Sequence, residues 1–66
     1  MRDQHVVSNV RGGWSVRGAG SERATRVFAT QAEAISYARD LARRDRGILY
    51  LHREDGTVKE KRSYAD

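Results

Sequence analysis

Apolar residues follow two different rhythms along this chain. Between Thr30 and Gly47, the residues Ala34, Ile35, Ala38, Leu41 and Ala42 fall along one stripe of a 3.6-residue helix. Tyr37 borders that stripe, while Ser36, Arg39, Asp40 and Arg43 occupy the opposite side. Thr30 suits the cap position, and Glu33, three residues on, can reach back to the cap's own amide. Arg43, Arg44 and Arg46 fill the last turn, where positive charge suits the carbonyl end of the dipole. Gly47 can adopt the left-handed conformation that closes a helix. These signals predict a helix over residues 31–46.

Elsewhere the rhythm is closer to two. Gln4 to Val10 is a short β-rich run, and Gly12-Gly13 suits a tight hairpin turn because both residues tolerate positive φ. Trp14 to Arg17 alternates and continues as a second strand. Gly18 to Thr25 is polar and turn-like. Arg26 to Phe28 reads as a short third strand or an extended lead-in to the helix. After the helix, Gly47 to Arg53 carries the strongest strand pattern. Glu54 to Thr57 is a turn with Asp55-Gly56 at its tip, and Thr57 to Ser63 is a charged edge strand. The predicted order is β-β-(β)-α-β-β. This is a single α+β domain over residues 1–66, a small antiparallel sheet with one helix packed on one face.

A sheet covered on one face should alternate cleanly, and this one does not. Val6-Val7 and Ile48-Leu49-Tyr50-Leu51 place apolar groups on both faces. If Trp14, Val16, Leu49, Leu51 and Phe28 meet the helix, then Val6, Val10, Ile48 and Tyr50 are left as a candidate interface. A homodimer, or a phage-type inhibitor docking on a host protein, would use that surface.

With 66 residues the chain makes one domain of modest core. There are no cysteines, so no disulfide or thiolate metal site forms, and His5 and His52 have no partner at zinc-ligand spacing. Neither a membrane-length apolar run nor a signal-peptide pattern occurs, and a cytoplasmic location is expected. No nucleophile is paired with a base, and the glycines lack a phosphate-loop context. The expectation is therefore a non-enzymatic protein with no cofactor.

The formal net charge is +4, from 13 basic and 9 acidic residues. Most of the excess lies before residue 31. Arg11, Arg17, Arg23 and Arg26 cluster there, and Lys59 and Lys61 stand on the last predicted strand. Arginine forks suit phosphate, and Trp14, Tyr50 and Tyr64 supply aromatics nearby. Trp14 is expected at the centre of the core. The remaining pattern suits contact with nucleic-acid phosphates through those six basic residues.

Five blocks give the chain a family resemblance. They are His5-Val-Val, Gly13-Trp-Ser-Val16, Phe28-Ala-Thr-Gln-Ala-Glu-Ala34, Ala38-Arg-Asp-Leu-Ala42 and Leu51-His-Arg-Glu-Asp-Gly56, the last followed by Lys59-Glu-Lys-Arg-Ser-Tyr64. In order and spacing the chain resembles the bacterial and phage "domain of unknown function 2188" over nearly its whole length. The resemblance implies a small compact α+β unit and no particular activity.

Overall fold

A computed structural model describes residues 3–18 and 26–64. The elements are β1 (Gln4–Ser8), β2 (Trp14–Gly18), β3 (Arg26–Phe28), α1 (Gln31–Asp45), β4 (Ile48–His52) and β5 (Val58–Ser63). The strands form one sheet in the order β3-β2-β1-β4-β5. The α+β class, the optional third strand and the single helix on one face all hold. The sheet is mixed, however, because β1 and β4 pair in parallel while the other three pairs are antiparallel.

The helix explains that parallel pair. Its 15 residues span about 22 Å, enough to carry the chain back along the sheet. β4 therefore starts at the same end as β1 and runs in the same direction, as helical crossovers require. The centre of the sheet is thus a pairing between segments more than forty residues apart, Gln4 with Leu49, His5 with Tyr50 and Val6 with Leu51.

The helix begins as its residues dictate. Thr30 is extended and its hydroxyl oxygen accepts from the Glu33 amide at 3.2 Å. The Glu33 carboxylate answers by accepting from the Thr30 hydroxyl at 2.9 Å, rather than from the cap's amide. The far end departs from expectation. Arg46, not Gly47, takes the left-handed conformation, with φ 54° and ψ 39°. Gly47 is buried, donates to the Ala42 carbonyl at 2.8 Å and accepts from the Tyr64 amide at 3.0 Å. Its position is fixed by the incoming strand and the C-terminal segment, so the reversal is displaced one residue earlier.

Three alanines, Ala34, Ala38 and Ala42, are fully buried along the helix. Such small side chains let the helix lie close over the sheet. Facing them are Val6, Val16, Leu49 and Leu51. Trp14, Phe28, Ile35, Tyr37, Leu41 and Tyr64 are partly buried around this centre. Trp14 therefore belongs to the rim, not the middle, of the core. The strand pattern alone points Val6 away from the helix, but register places it between Val16 and Leu51 under the helix. Val10 leaves the sheet altogether and stands fully exposed in the β1–β2 turn.

Candidate functional site

The core-facing residues define the other face by alternation. It carries His5 and Val7 from β1, Ser15 and Arg17 from β2, and Ile48, Tyr50 and His52 from β4. Among the described residues, no helix lies over it. The pairings align four side chains in a single row across four strands. Arg17 stands opposite His5, His5 opposite Tyr50, and Tyr50 opposite Lys61.

Contacts along this row are continuous. The rings of His5 and Tyr50 stack at 4.7 Å with an 8° angle between planes. That separation matches the spacing between neighbouring strands, so each ring stands upright over its own strand. On the far side of Tyr50 the Lys61 ammonium lies 5.8 Å from the ring centroid. Arg17 is exposed at the other end of the row.

A second line of polar contacts leads away from His5. Its Nδ1 lies 2.9 Å from Nε2 of His52, and Nδ1 of His52 lies 3.1 Å from the Gly56 carbonyl oxygen. The β4–β5 turn holds that carbonyl in place. Asp55 accepts from the Thr57 amide at 3.0 Å and from its hydroxyl at 2.7 Å. These two bonds hold the Asp55 carboxyl below its usual range. His5 is itself pushed below its ordinary value, chiefly by burial and then by His52. Asp3 opposes this shift and Arg17 adds to it. Asp3 is fixed nearby, where its carboxylate accepts from the Ile48 amide at 2.8 Å.

The six basic residues read from the sequence do not form one patch. Arg17 and Lys61 flank the aromatic pair on the open face. Arg26 pairs with Val16 and so lies on the helix side. There its guanidinium sits 5.3 Å from the Phe28 ring and 5.7 Å from the Tyr37 ring. Arg11 is exposed in the first turn, where its amide donates to the Asn9 side chain at 2.9 Å. Lys59 falls at an irregularity in β5, where Leu51 pairs with Glu60 but His52 pairs with Val58. It lines a shallow depression with Trp14, Gln31, Arg53 and Glu54. Arg23 lies outside the described residues, as does the stretch 19–25.

Of the four apolar interface candidates, only Ile48 and Tyr50 stand on the open face, both half-buried. Sequence alone assigns His5 and His52 to no site. Alternation could have placed His52 beside Tyr50. Only the parallel register brings His5 to them. Among the described residues, no group of three or more histidine, cysteine or acidic side chains is arranged to hold a metal, and no helix is long and apolar enough to cross a membrane.

Comparison with known proteins identifies a family without adding a chemistry. A family model described as "Uncharacterized protein conserved in bacteria (DUF2188)" matches residues 4–64. The chain is also similar to "Uncharacterized protein YdaT" of Bacillus subtilis (strain 168), 31% identical over 58 residues. That alignment covers 88% of this chain and 38% of the relative, so the chain spans well under half of the relative's length. No solved structure gives a significant match.

Proposed function

The chain belongs to the DUF2188 family of bacterial proteins, and from that premise we propose that it is a small non-enzymatic module that contacts nucleic-acid phosphates. The row Arg17–His5–Tyr50–Lys61 carries this reading. It places a cation at each end of a line about 14 Å long, three strand spacings, on a face that no described helix covers. A stretch of that length matches a few phosphates of a nucleic-acid backbone.

Ring geometry favours phosphates over bases. Base stacking needs a free aromatic face. Tyr50 has His5 against one face and Lys61 over the other. A base could stack only by displacing one of them, whereas a phosphate needs only the cations. Such contacts position a protein on its partner without reading sequence.

The test is titration of a labelled oligonucleotide at several salt concentrations. Binding is expected to weaken steeply with salt, with a slope of about 0.9 per phosphate neutralised on duplex. Charge reversal at Arg17 and Lys61 together should weaken low-salt binding about tenfold or more and flatten that slope by about two. Absence of binding at low salt, or binding indifferent to salt, refutes the reading.

One observation favours a second reading, a protein-interaction module. Val27 and Val58 are about half exposed and sit on the open face by their pairing with Ser15 and His52. With Ile48 they give that face apolar margins suited to a second copy or another protein. A mass that rises with concentration when nucleic acid is absent would support this reading.

A further inference from the structure

With both rings neutral, the hydrogen bonds around His5 run in one direction. A carbonyl oxygen can only accept, so Nδ1 of His52 must carry the proton it donates to Gly56 at 3.1 Å. In the neutral imidazole, Nε2 of His52 is then the acceptor. The 2.9 Å contact with His5 therefore requires Nδ1 of His5 to donate. This leaves Nε2 of His5 with the lone pair. Among the described residues nothing donates a hydrogen bond to that atom. It belongs to the ring that stands between Arg17 and Tyr50 in the row.

In this neutral form the middle of the row presents an acceptor to a ligand that is itself an acceptor. A phosphate oxygen and the Nε2 lone pair repel. We infer that nucleic-acid phosphate binds this row with uptake of one proton at Nε2 of His5. The proton comes from solvent, adds to the lone pair, and is then donated to a phosphate oxygen. No bond of the phosphodiester is made or broken. Nδ1 of His5 keeps its donation to His52 throughout, so the ring needs no rotation to take up its charge. The inference rests on the phosphate-binding reading above and specifies its regulation.

The surrounding groups fit a proton that waits for a ligand. Arg17 from β2 and His52 from β4 oppose a charge on His5, Asp3 on its own strand's lead-in favours one, and Tyr50 stacks on it without charge. Around His52 stand His5, the Gly56 carbonyl and Val58, with Arg53, Glu54 and Asp55 in the adjoining turn. An arriving phosphate neutralises Arg17 and adds a negative neighbour, and both effects favour the charged ring. The helix contributes nothing here because it packs on the opposite face.

The experiment measures anisotropy of a labelled duplex of about 12 base pairs at constant low ionic strength, from about pH 5.5 to about pH 8. Phosphodiester charge does not change over that range, whereas histidine titrates within it. Affinity should rise as pH falls, by up to about tenfold per unit for one coupled proton. His5→Gln should bind with a flat profile. A flat profile for the unaltered protein overturns the inference. A slope that survives His5→Gln also overturns it, because the proton then belongs elsewhere. Absence of binding at every pH instead refutes the phosphate-binding reading itself. Should His5→Gln fail to fold by circular dichroism, calorimetry of the unaltered protein in buffers of different ionisation heat decides. Uptake of about one proton per complex near the middle of the range supports the inference, and no uptake overturns it.

Discussion

At the scale of single residues, the first turn shows why two adjacent glycines are not equivalent. Gly12 and Gly13 both have positive φ, at 100° and 80°. A Cβ on Gly12 would meet nothing within 4 Å, but on Gly13 it would fall 2.3 Å from the Phe28 carbonyl oxygen. That atom belongs to the backbone of β3 and has little room to give way. Gly13→Ala is therefore expected to destabilise the protein by about 2–4 kcal/mol, from backbone strain and the clash together. Gly12→Ala should cost about 1 kcal/mol, from the unfavourable φ alone. Paired denaturation curves would check the ordering. Similar losses for the two variants would contradict the close approach of turn and third strand. The glycine pair reads correctly as a turn, but Gly13's contact with Phe28 is tertiary and has no local signature.

At the scale of elements, the helix is written at both ends, with an unequal outcome. Its start obeys the local code, because a cap needs only its own residue and the next turn. Thr30→Ala should cost about 1 kcal/mol. Its end is decided by the C-terminal segment, as buried Gly47 bonds to both Ala42 and Tyr64. Arg46 is left in a conformation that suits glycine, so Arg46→Gly should gain about 0.5–1 kcal/mol. Thermal unfolding of the two variants should show opposite shifts in midpoint. A loss with Arg46→Gly would mean that the arginine side chain contributes more than its backbone strain costs. The last strand makes the same point about context. Strict alternation would place Lys59 and Lys61 on one face. The irregularity opposite His52 breaks the count, and only Lys61 is paired with Tyr50.

At the scale of the whole molecule, His5 links the stability of the fold to its proposed ligand. The folded state holds His5 below its ordinary 6.5. Above that value the ring is neutral whether the chain is folded or not, and no penalty exists. As pH falls through 6.5 toward the folded value, the unfolded chain takes up the proton first and stability declines. The melting midpoint should therefore be lower near about pH 5 than near about pH 7.5, a window above the usual carboxylate range. His5→Gln should lose part of that dependence. Added duplex should raise the midpoint more at the acidic end, because a bound phosphate favours the protonated ring. A midpoint that does not change between those two conditions would show that His5 meets no desolvation in the fold.

The helix, its cap, the Asp55-Gly56 turn, the strand segments and the α+β class were all legible in the chain. Each depends on residues within a few positions of one another, where spacing and backbone preference decide. Arginine excess also raised the expectation of an anionic partner. Tertiary structure decided which cations share a face and what stands between them. Residues 4–6 and 49–51 carry no mark of their partnership in sequence. Their parallel register arises because one helix returns the chain to the end of the sheet where it began. That single long-range pairing buries Val6 under the helix and joins His5 to Tyr50 and His52. A row of charge and rings can be assembled only by strands lying side by side, and no property of one strand contains it.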